Sequence, residues 1–299
     1  MPKIATQTSD FDFNVEQVAL FDSEGRRSGF YGNQRTDTGA VLGVTSDRYG
    51  IVQHGSLIEA AEEGFKNAGL GEFERNVYIT GDGARMRTHY DFKDQTRALR
   101  REDRQVGDEV GLRLTLQNSF DRSLRVSFAL GMLRLVCTNG MTTLENEVSM
   151  TKKHSANVET NFLEDAIKKA VSNWDNAVAK AETLTAHSIE HEQGLTILGN
   201  LVRMGALSDR MSGEIAKVWN SPEYDLDKDR NLYNLYNATT QHLSSGKNRA
   251  AVQNDRYEYA SKVSETVLKK LTKAAKDKTF FGKLTRKPVA KSDDVLVAS

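Results

Sequence analysis

The apolar residues of this chain change their spacing near residue 150. Between residues 110 and 117, apolar and polar side chains alternate, which is the pattern of a strand with one buried face. Between residues 162 and 184, apolar residues recur at every third or fourth position, as in an amphipathic helix. One chain with both patterns predicts an α+β protein, because strands and helices occupy different halves of it.

The first half is expected to form an antiparallel sheet with one helix. Residues 110–117 and 124–130 alternate on either side of a segment rich in turn-forming residues, 118–123, so they predict a hairpin. The stretch from Ser56 to Gly69 carries apolar residues at helical spacing and predicts an amphipathic helix. The expected fold is therefore an N-terminal antiparallel sheet with an amphipathic helix, followed by a mainly α-helical C-terminal half.

This organisation predicts three regions. Residues 1–150 are the strand-rich α+β region, residues 151–280 a helical region packed on it, and residues 281–299 a flexible tail. The helical region opens with one long helix from about residue 162 to 202, with a break near Gly194 as the alternative. Shorter helices are expected to start near residues 208, 229 and 255.

Composition excludes several classes of protein. The 41 basic and 41 acidic residues balance, so net charge favours no partner. The single cysteine, Cys137, cannot form an internal disulfide, which favours a reducing, cytoplasmic location. The longest mostly apolar stretch, 126–137, is too short to cross a bilayer. We expect no membrane partner and no cofactor.

Several short motifs lie along the chain. They are Asp47-Arg48-Tyr49, Gly81 to Arg85, Leu116 to Asp121, Leu133 to Met141, His154-Ser155 and Leu232 to Ala238. With these motifs the chain resembles, from about residue 40 to 270, the phage/plasmid-like proteins grouped as domain of unknown function 932. The stretch Val136 to Gly140 is the most specific of them. The resemblance implies a mobile-element origin and a place in the host cytoplasm, but no reaction, because the family carries no catalytic assignment. Such proteins often travel with replication and recombination genes, which favours DNA metabolism by analogy.

The polar face of the predicted hairpin offers candidate nucleic-acid-binding side chains. Arg113 and Gln117 lie on its first strand, Arg125 on its second, and Arg122 in the loop. Guanidinium groups bind phosphates, and neighbouring aromatic residues could stack on single-stranded bases. The alternative is a solvated sheet face with ordinary charges.

A second basic stretch runs from residue 262 to 291. It holds ten Lys or Arg residues against two acidic residues. Lys269, Lys273 and Lys276 would share the polar side of a helix and could contact phosphates. The alternative is a solvated helix face. Amphipathic membrane binding fits less well, since no broad apolar face opposes the lysines.

A metal site is the weaker enzymatic alternative. His187, Glu190 and His191 match His-x-x-Glu-His, in which two imidazoles one helical turn apart share a zinc ion and the glutamate acts as base. No third ligand is evident, and His191 lies on the same apolar stripe as Leu198. We expect no metal.

The leading hypothesis is a non-enzymatic accessory protein of DNA replication or recombination that binds nucleic acid, with single-stranded DNA favoured. Oligomerisation through the long helix would accompany this role. The first alternative is a host-takeover or anti-defence protein that acts by binding host or phage proteins. A metal-dependent hydrolase built on His187, Glu190 and His191 is the second.

Overall fold

The chain folds as an α+β protein, as the spacing of its apolar residues predicts. The computed structural model describes residues 11–99, 108–134, 142–143, 149–154, 162–244 and 257–287. The described strands all lie before residue 155, and the described α-helices, except the one over residues 54–67, lie after residue 161. The N-terminal half is therefore built on antiparallel sheets and the C-terminal half on helices.

The first sheet has three antiparallel strands in the order of the chain. They are β1 (Val15–Phe21), β2 (Arg27–Arg35) and β3 (Val41–Thr45). Its inner face packs on the second sheet, where Asn33 Nδ2 donates a 2.6 Å hydrogen bond to the Phe120 carbonyl oxygen. A Cβ on Gly43 would lie 2.6 Å from Asp121 Cα, so glycine allows the close approach here.

The second sheet follows the order β4-β5-β6-β7-β8, and β9 also pairs with β7. Its strands are β4 (Phe73–Thr80), β5 (Arg85–Leu99), β6 (Asp108–Ser119), β7 (Val126–Arg134), β8 (Thr142–Thr143) and β9 (Ser149–Lys152). The paired strands are antiparallel, and Leu116 lies opposite Phe128 in the β6–β7 pair. The predicted hairpin is confirmed.

One helix packs on the apolar face of the second sheet from within the N-terminal half. This helix, α1 (His54–Asn67), begins two residues before the predicted start at Ser56 and buries Leu57, Ile58, Ala61 and Phe65. The Phe65 ring lies 4.8 Å from that of Tyr90 on β5, edge to face. Gly69, with a φ of 65°, follows the helix end, because a left-handed residue suits glycine.

The described residues after 161 form six α-helices joined by short connections. These helices are α2 (Phe162–Thr185), α3 (His191–Arg203), α4 (Asp209–Asn220), α5 (Leu232–Ser244), α6 (Tyr257–Lys276) and α7 (Lys278–Thr285). The long helix predicted over residues 162–202 is two helices, and the break lies at residues 186–190 rather than at Gly194. Gly194 lies inside α3, where the Trp219 indole fills the space that a Cβ would occupy.

The two halves share one apolar core, which extends from α1 and the second sheet to α7. The boundary near residue 150 therefore marks a change of secondary structure within this core. The sequence predicts a flexible tail from residue 281. In the structure, residues 281–285 belong to α7 and residues 286–287 follow its end. Asn200 Nδ2 in α3 donates to the Leu284 carbonyl oxygen at 2.7 Å and to that of Arg286 at 3.1 Å. The rest of that tail, 288–299, lies outside the described residues.

Candidate functional site

Motifs that are far apart in the chain meet at one end of the second sheet. His154 Nδ1 lies 3.2 Å from the Gly50 carbonyl oxygen, 104 residues away, and its ring stacks on Tyr49 at 4.7 Å. The Tyr49 hydroxyl donates to the Ser119 carbonyl oxygen at 2.7 Å. The Phe120 amide donates to the Ala84 carbonyl oxygen at 2.7 Å. We call this cluster the motif junction; it comprises residues 49–54, 81–85, 118–121 and 154.

His54 lies at the centre of the motif junction with both ring nitrogens in hydrogen bonds. Asn118 Nδ2 donates to His54 Nδ1 at 2.9 Å, and His54 Nε2 lies 3.1 Å from the Gly83 carbonyl oxygen. Because that carbonyl can only accept, the proton is on Nε2 and the ring is neutral. Burial lowers the pKa of His54 to about 3, since charging the imidazole would cost its hydration.

Two turns, one within the motif junction and one directly after its residues 118–121, hold non-glycine residues with left-handed φ. These are Asp82, at 56°, and Arg122, at 68°. The Asp82 carbonyl oxygen accepts from Arg35 Nη1 at 2.9 Å, and the Arg35 guanidinium lies 3.7 Å above the Phe13 ring. Arg85 Nε donates to Asp121 Oδ2 at 2.7 Å. The Arg35 contact joins the first sheet to the motif junction, and both ring nitrogens of His54 are already engaged with Asn118 and Gly83.

The polar face of the hairpin is more closed than its sequence predicts. Arg113 is only 8% exposed, and its guanidinium donates to both carboxylate oxygens of Asp91 on the neighbouring strand β5. The alternative of a solvated sheet face is therefore wrong at Arg113, because Asp91 lies directly opposite it in the strand register. Gln117 is half-buried and accepts from Ser127 Oγ at 2.9 Å.

Beside this ion pair lies a second buried histidine, His89. Its Nδ1 is 3.0 Å from Thr115 Oγ1. Burial, together with the positive charges of Arg113 and Arg87, holds the pKa of His89 well below its ordinary value. The centre of the polar face therefore holds the buried Arg113–Asp91 ion pair and the buried hydrogen bond between His89 and Thr115.

The two remaining hairpin candidates lie on the surface. Arg122 and Arg125 are exposed, in the turn between β6 and β7. The structure therefore separates the predicted set of four: Arg113 is buried in an ion pair, Gln117 is half-buried, and the two arginines of the turn can reach a ligand in solvent.

The second predicted stretch contributes a set of eight exposed basic side chains. It comprises Lys262, Lys269, Lys273, Lys276, Lys278, Lys283, Arg286 and Lys287. We call this set the basic surface. Lys269 Nζ pairs with Glu265 at 2.5 Å, and Lys273 Nζ lies 4.7 Å above the Phe280 ring. Asp277 Oδ1 caps α7 by accepting from the Phe280 amide at 3.0 Å.

The basic surface includes residues that were not named among the candidates from sequence. Lys278 and Lys283 belong to α7, which was predicted in part as a tail, and they extend the surface beyond Lys276. Both lysines already belong to the basic stretch of the sequence, residues 262–291. The fixed position of α7 against α3 could not be read from that stretch.

The arrangement predicted for the metal-dependent alternative is wrong. His187 lies in the connection between α2 and α3, and α3 begins only at His191, so the two imidazoles do not lie one helical turn apart. The His187 ring packs on Phe281 at 4.6 Å, and that of His191 stacks on Trp219 at 6.2 Å. Within the described residues, no three His, Cys, Asp or Glu side chains are grouped as metal ligands. Cys137 lies outside the described residues.

Of the helices described, none combines the length and the apolar character needed to cross a membrane. Searches of curated proteins and of solved structures each gave no match. A family model described as "Domain of unknown function (DUF932)" matches residues 41–270. This match covers most of the chain, including the motif junction, and most of α6 with the first part of the basic surface. The chain belongs to the DUF932 family.

Proposed function

We propose that this chain is a non-enzymatic accessory protein of DNA replication or recombination, encoded by a phage or plasmid and acting in the host cytoplasm. It binds the phosphate backbone of nucleic acid through the basic surface of α6 and α7. The observation that carries the proposal is the charge of this surface: eight exposed cations, with both nearby carboxylates already engaged by Lys269 and by the α7 cap.

The charge of the basic surface sets the expected salt dependence. If about five cations each displace a counterion from a single strand, the binding constant falls with salt by a slope of roughly 3.5 on a logarithmic scale. Between about 50 and 200 mM salt this slope weakens binding roughly 100-fold. Such a dependence distinguishes phosphate contacts from apolar binding.

Two aromatic rings favour single strands over duplexes. Phe280 and Phe281 are half-buried among the lysines of α7. A base that is free of a duplex can stack on such a ring, at roughly 1–3 kcal/mol per base. We therefore expect the single strand to bind more tightly than a duplex of the same length.

The test is fluorescence anisotropy of labelled single-stranded and duplex oligonucleotides at about 50 and 200 mM salt. The triple variant K276E/K278E/K283E should lose at least tenfold in affinity, because each change replaces an attraction to phosphate by a repulsion. The matched control is K66E/K168E/K169E, which makes the same charge change at exposed lysines of α1 and α2. It should stay within about threefold of the wild type.

The hairpin needs a different variant. Exchanging Arg113 for Glu would place two carboxylates together in a buried site, so it tests folding rather than binding. The double variant R122E/R125E changes exposed side chains and tests whether the turn adds contacts.

No binding to either oligonucleotide at 50 mM salt would refute the proposed function. Equal losses in the triple variant and its control would refute the site.

A further inference from the structure

Arg203, in the last turn of α3, lies beside the end of α7, although it is outside the basic stretch of the sequence. Its Nη1 donates to Asn200 Oδ1 at 3.2 Å. The Nδ2 atom of the same amide donates to the Leu284 and Arg286 carbonyl oxygens at 2.7 and 3.1 Å. One buried side chain, 7% exposed, therefore holds both the Arg203 guanidinium and the backbone of residues 284–286.

The orientation of the Asn200 amide follows from its partners. Backbone carbonyl oxygens can only accept hydrogen bonds, and a guanidinium can only donate them. The Nδ2 side of Asn200 must therefore face α7, and its Oδ1 side must face Arg203. Because each side of the amide has its matching partner, Asn200 couples the end of α3 to the end of α7.

Four exposed cations lie on or beside the backbone that Asn200 holds. Lys283, Arg286 and Lys287 are exposed and fall within five residues of the chain, and Arg203 is exposed at the end of α3. In the part of the chain that the structure describes, the ion pairs of the helical half use other cations. Since no carboxylate neutralises the four, this end of the basic surface attracts anions.

The Arg203 guanidinium suits a phosphate. Asn200 takes a hydrogen bond from Nη1, and Nε and Nη2 have no partner among the described residues. The Nε and Nη2 edge of a guanidinium presents two parallel N–H donors, which match two oxygens of one phosphate. The hydrogen bond to Asn200 also restricts the side chain before any ligand arrives, so less conformational entropy is lost on binding.

We infer that Arg203 is a further phosphate-binding residue of the basic surface and that Asn200 positions it. The ligand is a backbone phosphate of the same nucleic-acid strand, bound between Arg203 and residues 286–287. This inference rests on the proposed function and extends its site to α3, which lies outside the basic stretch 262–291. Phosphate contacts carry no sequence information, so Arg203 adds affinity for any sequence.

A purely structural role for Arg203 predicts a different result. A cation in the last turn of a helix offsets the partial negative charge of the helix end. Its loss would lower the thermal stability of the chain without changing how binding depends on salt. A phosphate contact displaces a counterion from the nucleic acid, so its loss lowers the salt slope. The slope therefore separates the two roles.

The test is fluorescence anisotropy of the full chain with single-stranded oligonucleotides of two different sequences, at about 50 to 200 mM salt. R203Q should lower the affinity about three- to tenfold at the lowest salt, equally for both sequences, and should lower the logarithmic salt slope by about 0.7. R203K keeps the charge and should keep the slope. The control R27Q changes an exposed arginine of β2 and should bind as the wild type does.

A double-mutant cycle tests the positioning role of Asn200. In the N200A background R203Q should lower the affinity less than about twofold, because the guanidinium is already released there. Thermal unfolding shows whether N200A keeps the fold, and N200S is the second variant if alanine does not. An equal effect of R203Q with and without Asn200 would overturn the positioning role.

The outcomes separate this inference from the proposed function. If the wild type binds the oligonucleotides and R203Q keeps both its affinity and its salt slope, Arg203 makes no phosphate contact, and the basic surface of α6 and α7 alone carries the binding. A wild-type chain that binds neither oligonucleotide at about 50 mM salt would refute the proposed function and this inference together.

Discussion

The hydrogen bonds of His54 make its neutral form part of the folded state. Its pKa in the fold, about 3, lies below the ordinary value of 6.5 because burial disfavours the charged ring. The unfolded chain therefore binds one more proton than the folded chain between these two values. The stabilisation is complete above pH 6.5 and is lost as the pH falls towards 3.

We expect the His54 contribution to appear as a pH slope in urea denaturation. Between pH 7.5 and 5.5, His54 alone should lower the free energy of unfolding by about 1.4 kcal/mol. The variant H54Q should be less stable at pH 7.5, through loss of buried hydrogen bonds, and its slope should be shallower than that of the wild type by the same 1.4 kcal/mol. An unchanged slope in H54Q would assign the pH dependence to other groups.

At this scale the sequence predicts the face on which a side chain lies better than the burial or the partner of that side chain. Alternation along β6 correctly places Arg113 on the face opposite the leucines, and the basic run correctly indicates exposed lysines at 269, 273 and 276. The partner of Arg113, Asp91, lies 22 residues earlier and is fixed by strand register, which local spacing does not specify. The buried role of Arg113 could not be predicted for that reason.

The helical elements were predicted from spacing, but their ends depend on tertiary contacts. The helical spacing of apolar residues in the sequence continues across residues 186–190. In the structure the chain leaves the helix there, and the Ile189 amide donates to the Arg230 carbonyl oxygen at 3.0 Å. The glycine expected to break the helix lies inside it because a cap, Glu190, starts α3 earlier. The two glycines of α3, Gly194 and Gly199, have different surroundings.

Gly194 and Gly199 make a matched pair within α3. A Cβ at Gly194 would lie 2.6 Å from Trp219 Cε2, whereas a Cβ at Gly199 would meet nothing within 4 Å. We expect G194A to lower the free energy of unfolding by about 1–3 kcal/mol through overpacking. G199A should raise it by roughly 0.5–1 kcal/mol, since alanine favours the helix. Thermal unfolding measures both, and shifts of the same sign would contradict this account.

At the scale of the whole molecule, the strand-rich and helical halves depend on one core. Leu112, Leu114 and Leu130 of the second sheet are no more than 1% exposed, and they belong to the same apolar cluster as Ala166 and Trp174 of α2. The sequence correctly predicts an N-terminal antiparallel sheet followed by a mainly helical half. The shared core, and the meeting of motifs at the junction, arise from contacts between residues distant in the chain.

A chain cut after Asn161 tests this dependence. Each fully buried leucine contributes roughly 1.5–3 kcal/mol, so uncovering even four of them costs about as much as the whole stability of a typical domain, 5–15 kcal/mol. We expect the 1–161 chain to lack a cooperative urea transition and to bind a hydrophobic dye. The control, a chain cut after Lys287, keeps every described element and should unfold like the full chain. A cooperative transition in the shorter chain would show instead that the strand-rich half is a domain that folds without α2, and the shared core would then join two independent units.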